Sequence, residues 1–362
     1  MKSLFEIYDV FLRRLSEIKE YIDQTMMQHE LIDSIESKVE NIEPSEKSYF
    51  GYLKALKSST IQYNAIIISI YACYEHFVDS AASQYCGMVF QKSESFDDLP
   101  SRLKEKLRNK IGEYLSNPKR FPEDIDLVRT VENYSMMLSS DLSTPVDLRF
   151  VVSHSGNLRS SEVVKLFQDI TGMDITPHIL HSQWIKAFYI DNELMDEEEF
   201  AQKNARAAQN LKNSEIMKPL EELVSQRNSV AHSWREDSRI GIDYISDTII
   251  PFLRALSFTL LEICIISYLT LFNDAASTLQ NGTPIATYNH NIVCFNNQAT
   301  AFSVGDYIIY GTEQQSKCAK ILSLQHNSVA IDSIDSSQNI DVGIKIDGKI
   351  AACDTIKYII NL

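Results

Sequence analysis

Within Arg227-Asn228-Ser229-Val230-Ala231-His232, a permanent cation, a carboxamide and an imidazole fall in one short stretch. That set suits phosphodiester chemistry. A histidine can take or give a proton near neutral pH. An arginine can hold a phosphate oxygen with two hydrogen bonds and offset charge in a transition state. An asparagine can orient the histidine or contact the phosphate. On a helix, Asn228 and His232 are four apart and share a face next to the one holding Arg227. The same spacing also fits a plainer arrangement, a helix-end histidine beside a core-edge arginine.

Other residues could join them. Leu220, Leu223, Val224, Arg227, Val230 and Ala231 follow at helical steps, which places Arg227 on an apolar stripe. A buried guanidinium needs a partner or a purpose. Glu75, beside His76 in an apolar run, could supply the carboxylate, either as a structural ion pair or as part of the chemistry. His154 and Asn157 could line the same cleft or belong to an ordinary loop. The triplet Glu197-Glu198-Glu199 after Asp196 reads as a solvated helix start.

Metal and cofactor signals are weak. His178 and His181, near Trp184, lack a supporting cluster of carboxylates or cysteines. Cys73, Cys86, Cys264, Cys294, Cys318 and Cys353 are spread out, with no C-x-x-C pair. They do not resemble a disulfide framework, which fits a reducing compartment. There is no Gly-rich phosphate loop and no serine-nucleophile motif. The expectation is therefore no metal site and no cofactor.

Several long helices must position the hexapeptide. Leu4, Ile7, Tyr8, Phe11, Leu12, Leu15, Ile18 and Ile22 recur at helical spacing and predict a helix over 3–40. Pro44 marks a turn, and a second helix is expected over 49–90, its centre from Tyr63 to Phe77 crossing the core. Residues 92–213 read as a helical insertion with short helices at 100–116, 123–137, 160–171 and 196–213, punctuated by prolines. A helix over 214–234 carries the hexapeptide, with Pro219 kinking it or marking its true start. The last long helix is expected over 241–274.

After Thr283 the pattern changes to short β-rich runs at 308–310, 319–322, 329–331, 342–346 and 356–360. These predict a small SH3-like β-barrel over 284–362, suited to protein contact, sensing or regulation. Its basic residues (Lys317, Lys320, Lys345, Lys349, Lys357) are outnumbered by Asp306, Glu313, Asp332, Asp335, Asp341, Asp347 and Asp354, unlike a strong RNA-binding barrel. The division predicted is a helical domain over 1–278 and the barrel over 284–362.

Composition bounds the function. The chain has 362 residues, room for two or three domains at roughly 100–200 residues each. Its 44% hydrophobic and 23% charged residues are ordinary for a folded protein. A net charge of −15 repels long stretches of nucleic-acid backbone, so a histone-like or repressor-like surface is excluded while a compact cleavage site is not. The run over 249–272 is long enough for a bilayer but holds Pro251, Arg254 and Glu262. A charge at the centre of a span costs about 2.5–3.5 kcal/mol on the insertion scale, so a central buried helix is favoured over a membrane anchor. No signal-peptide pattern is read at the start, and a cytoplasmic location is expected.

The stretch Leu223 to Ser233 resembles the signature of the HEPN superfamily, the higher eukaryotes and prokaryotes nucleotide-binding domains, in the form RN-x-x-AH. Two further stretches resemble its RiboL-PSP-like branch. Ile66 to Phe77 is similar to the second core helix, and His154-Ser155-Gly156-Asn157-Leu158-Arg159 to an SGN-L segment before a short helix. The resemblance covers about residues 1–275. It implies a mainly α fold, a HEPN-type four-helix bundle with the helical insertion. It also implies a metal-independent endoribonuclease working as a homodimer, in which Arg227, Asn228 and His232 of two chains face one cleft. Glu75, His154 and Asn157 are possible supports. RNA is the implied partner. A toxin or antiviral-defence role, with an antitoxin or defence-system protein as a further partner, is common in such families. Others are catalytically silent scaffolds or partner-binding proteins, which remains the alternative.

Overall fold

The computed structural model describes residues 1–36, 49, 51–52, 60–120, 125–139, 147–154, 156–208, 210–211, 214–232, 239–272, 283–297, 300–312 and 316–361. The expected turn at Pro44 lies outside these residues. So does 53–59, in the N-terminal part of the predicted second helix.

Two long helices build the first layer. Helix α1 (Lys2–Glu36) buries Leu4, Phe5, Phe11, Leu15 and Ile22 at helical spacing. Helix α2 (Thr60–Lys92) is buried along most of its length, from Tyr63 through Val89, and packs on α1. Its only acidic residues are Glu75 and Asp79, and in a helix so largely buried such charges carry information.

The insertion contains more helices than its periodicity predicts. They are α3 (Ser101–Ser116), α4 (Leu127–Leu138), α5 (Leu148–Val152), α6 (Ser160–Thr171), α7 (Thr176–Leu180), α8 (Gln183–Asp191) and α9 (Glu197–Ala207). The short ones, α5, α7 and α8, escape a periodicity argument because one or two turns give no repeat. Local chemistry sets their starts. Asp126, Asp147, Ser182 and Asp196 each accept a hydrogen bond from a first-turn backbone N–H. Gly172 ends α6 at φ +75°, a left-handed conformation that glycine adopts without penalty. Helix α9 stops at Ala207, short of the predicted 213.

A 3-10 turn (Glu215–Met217) leads into α10 (Lys218–His232). Pro219 therefore lies in the first turn, where its missing N–H costs nothing, and marks a start rather than a kink. Helix α11 (Ile242–Phe272) opens with a π turn at Ile245–Ile249. It is long and apolar enough to cross a bilayer by length and composition. Most of it is covered by α2, α8 and other elements of the same chain.

The C-terminal strands are β1 (Ala286–Tyr288), β2 (Ile292–Asn297), β3 (Phe302–Ser303), β4 (Tyr307–Gly311), β5 (Ser316–His326), β6 (Val329–Ile331), β7 (Ser333–Ile334), β8 (Ile340–Ile346) and β9 (Thr355–Ile360). They form a curled antiparallel sheet in the order β1-β2-β8-β5-β4-β9, with β6 on β5 and a separate β3–β7 ribbon. Among the described residues the ladder leaves β1 and β9 as edges of this curled sheet. A bulge in the β4–β9 pairing and another between β5 and β8 give it curvature.

One face of this sheet rests on the helices. Tyr307, Ile309, Cys318 and Ile360 share the helical hydrophobic core. Phe5 stacks on Tyr307 at 3.9 Å between ring centroids. Gln183 Oε1 accepts hydrogen bonds from the Tyr310 hydroxyl (3.1 Å) and from Lys349 N (2.9 Å). Glu262 on α11 accepts a hydrogen bond from the Cys318 backbone N–H.

Candidate active site at the end of helix α10

Helix α10 buries Leu220, Leu223 and Val224 fully, and Gln226 nearly so. Arg227 continues that stripe but is only half-buried, Val230 likewise, and Ala231 is exposed. The expectation of a buried Arg227 is therefore corrected. The stripe leaves the core at this turn, and the buried polar residue is Gln226, whose Oε1 accepts from the Tyr63 hydroxyl at 2.9 Å.

Arg227 rests on an aromatic ring. Its guanidinium carbon stands 5.2 Å from the centroid of Tyr71 on α2. Such a contact contributes about 0.5–2 kcal/mol, depending on how far it is desolvated. The guanidinium also donates to Asn228 Oδ1 at 3.4 Å. No ion pair joins it to a carboxylate among the described residues. The suggested Glu75–Arg227 pair is replaced by a relay: Tyr71 donates its hydroxyl proton to Glu75 Oε1 at 3.1 Å while its ring faces Arg227.

Asn228 is shared. The same Oδ1 accepts from Asn157 Nδ2 at 2.6 Å. Asn157 belongs to the segment joining α5 to α6, and that segment is fixed at three points. Leu158 N donates to the Tyr71 hydroxyl at 3.0 Å. His154 places Nε2 3.3 Å from the Asp79 carboxylate and donates through Nδ1 to the Gly156 carbonyl at 2.6 Å. Glu221 on α10 holds the far end, accepting from Arg159 (2.6 Å), Ser160 N (3.0 Å) and Ser160 Oγ (2.5 Å). Tyr71, Glu75 and Asp79 are four apart on α2, so one polar ladder faces the whole segment.

The ladder tunes protonation. Burial pushes the Tyr71 phenol up to about 12, and Glu75 adds to the rise against the Leu158 N–H and Arg227. It stays a donor at neutral pH. The Asp79 carboxylate, with the Gly156 carbonyl, raises the His154 imidazole above its usual range and outweighs its burial. Both of its nitrogens face acceptors, the arrangement of an imidazolium rather than of a free base.

Of the residues predicted from sequence, Arg227, Asn228 and Asn157 meet directly. Glu75 and His154 join them through Tyr71 and the α5–α6 segment. His232 is the last residue of α10, one turn beyond Asn228; its side chain lies outside the described residues. His76 stands off the cluster, with Nδ1 3.4 Å from Ser80 Oγ. The sequence reading gave no role to Tyr71, Asp79, Arg159 or Glu221. The i, i+4, i+8 spacing of positions 71, 75 and 79, the last two being the only acidic residues of the helix, was the available signal for the first two. Among the described residues no three of His, Cys, Asp and Glu come together as a metal site would require.

A long buried α2, the Arg-Asn motif at the end of a following helix and a final apolar helix define a helical domain with a polar site at one helix end. The family model described as RiboL-PSP-HEPN matches residues 11–263, and the chain belongs to that family. Comparison with curated proteins and with solved structures finds no match.

Proposed function

We propose that the protein is a metal-independent endoribonuclease acting as a homodimer, serving as a toxin or antiviral-defence effector. The observation that carries this reading is the half-exposed Arg227 guanidinium. It is seated on Tyr71, tied to Asn228, and without a carboxylate partner among the described residues. An uncompensated cation next to an amide pair is suited to a phosphate oxygen. Membership in the RiboL-PSP-HEPN family supports the same reading.

In the proposed reaction the ribose 2′-hydroxyl attacks the adjacent phosphorus. The bond from phosphorus to the 5′ oxygen breaks, leaving a 2′,3′-cyclic phosphate and a 5′-hydroxyl. One His232 takes the 2′-hydroxyl proton and its counterpart in the second copy gives a proton to the leaving oxygen. Arg227 offsets the charge on the phosphorane, and the Asn157–Asn228 pair keeps the guanidinium in place.

The test is cleavage of RNA by the full chain in the presence of EDTA. Products should carry cyclic phosphate ends, and DNA of the same sequence should stay intact for want of a 2′-hydroxyl. Arg227→Ala should lower kcat/KM by about 100-fold or more, the scale for losing one transition-state charge partner. Full activity in Arg227→Ala and His232→Ala proteins would remove these residues from the chemistry, and a wild type that cuts no RNA would leave the catalytically silent scaffold as the better reading.

A further inference from the structure

We propose that Tyr71 is the positioning residue of this site: its ring seats the Arg227 guanidinium and its hydroxyl locks the segment that delivers Asn157 to Asn228. The inference rests on the ribonuclease reading for its consequence in catalysis, and on geometry alone for the positions.

Three contacts meet on this one side chain. The ring lies under Arg227, with 5.2 Å from guanidinium carbon to centroid. The hydroxyl accepts from Leu158 N at 3.0 Å and donates to Glu75 Oε1 at 3.1 Å. Leu158 follows Asn157, so fixing the Leu158 N–H fixes the residue whose amide reaches Asn228 at 2.6 Å. Arg227 and Asn157 approach Asn228 Oδ1 from two different elements, and Tyr71 touches both elements. Tyr71 is itself buried and stands on the long core helix α2, so it is the rigid member of the set. A flexible arginine on a helix end would otherwise sample several rotamers, and ordering it at the moment of reaction would cost catalysis.

The hydroxyl and the ring have separable duties, which makes the inference testable. Tyr71→Phe keeps the ring and removes the acceptor of Leu158 N–H. Tyr71→Leu removes both. Both variants are compared in the full chain by NMR, using Arg227→Lys to assign the Arg227 Nε–H resonance. In the wild type that resonance should be shifted upfield by the ring, with nuclear Overhauser contacts from the Tyr71 ring to the Arg227 side chain. It should hold its position in Tyr71→Phe and move to the free-arginine position in Tyr71→Leu. The Leu158 amide should exchange with solvent about tenfold faster in Tyr71→Phe, the scale of one lost hydrogen bond.

In RNA cleavage, kcat should fall about tenfold in Tyr71→Phe and about 100-fold in Tyr71→Leu, with KM nearly unchanged. An Arg227 resonance indifferent to loss of the ring, or a wild type without the ring contacts, overturns the inference. So does a Tyr71→Phe protein with unaltered Leu158 exchange, or a loss expressed only in KM. If Tyr71→Leu does not fold, the wild-type ring contacts and the Tyr71→Phe exchange still decide it. A wild type that cuts no RNA defeats the ribonuclease reading and leaves the resonances to judge the geometry.

Discussion

Asn157 donates a 2.6 Å hydrogen bond to the side-chain oxygen of Asn228, joining the α5–α6 segment to the end of α10 across 71 positions of sequence. The same oxygen receives Arg227 at 3.4 Å. If the pair acts as one unit in holding the guanidinium, its members cannot contribute independently. Asn157→Ala and Asn228→Ala should each lower RNA cleavage about tenfold, and the double variant should be little worse than either alone. Kinetics on the four proteins measure the coupling, expected near 1 kcal/mol. Simple multiplication of the two losses would remove the pair from the site.

His154 offers a second test, through titration. Its folded pKa is raised, first by the Asp79 carboxylate and then by the Gly156 carbonyl. A histidine raised on folding contributes stability that is fully present below its unfolded pKa and is lost as pH rises through the folded value. The stabilisation should therefore fade as pH climbs above the ordinary histidine range. Asp79→Asn should lower the titration midpoint of His154, followed through its ring proton by NMR, and flatten that part of the stability profile. A midpoint that stays put on replacing Asp79 would show that the contact does not set the charge.

Glu221 does the work of a helix cap from another helix. Helix α6 begins after Arg159, whose side chain makes no capping bond. The Glu221 carboxylate accepts from Ser160 N and Oγ instead and pairs with Arg159. A carboxylate at a helix N-terminus is also favoured by the helix dipole. Glu221→Ala should lower stability by about 1–2 kcal/mol, the scale for losing a cap. The partly exposed Arg159 ion pair adds little to that figure. Urea denaturation measures it. Amide exchange at Ser160 should quicken more than at the middle of α6. A uniform change along α6 would mean that Glu221 acts through general packing rather than as a cap.

The long elements were legible because periodicity over many turns survives local noise. Leu4 to Ile22 and Tyr63 to Phe77 read as helices and form them. The chemical motif was legible as residue types, since Arg227 and Asn228 are neighbours in sequence. What stayed hidden was long-range pairing. Nothing in the α5–α6 segment announces that Asn157 meets Asn228, or that Glu221 caps α6. The expected burial of Arg227 failed because the stripe of α10 runs out where the helix leaves the core. Tyr71 lay inside a stretch already singled out, yet an aromatic in an apolar helix looks like core until its hydroxyl partners are seen. Strand spacing predicts a small β-rich unit but carries no record of which strands pair, so the order β1-β2-β8-β5-β4-β9 was not legible.

Glu262 tests how the sheet is held to the helices. It sits on α11 among apolar neighbours, 6% exposed, and accepts from the Cys318 N–H of β5. Burial pushes its carboxyl up to about 8, opposed by the Cys318 N–H, by Lys317 and by Trp184. The sign follows from proton counting. Between the ordinary carboxylate range and about pH 8 the folded protein holds a proton that the unfolded chain has released. Stability from this group is therefore fully present below the unfolded pKa and falls as pH rises through that window, by an amount on the order of a few kcal/mol. Glu262→Gln keeps a carbonyl to receive the Cys318 N–H and cannot ionise. Its denaturation midpoint should change less between pH 6 and pH 8 than that of the wild type, and should exceed it at pH 8. Parallel stability profiles for the two proteins would show that Glu262 does not change its protonation on folding. The Cys318 contact would then be an ordinary hydrogen bond to a carboxylate that stays charged.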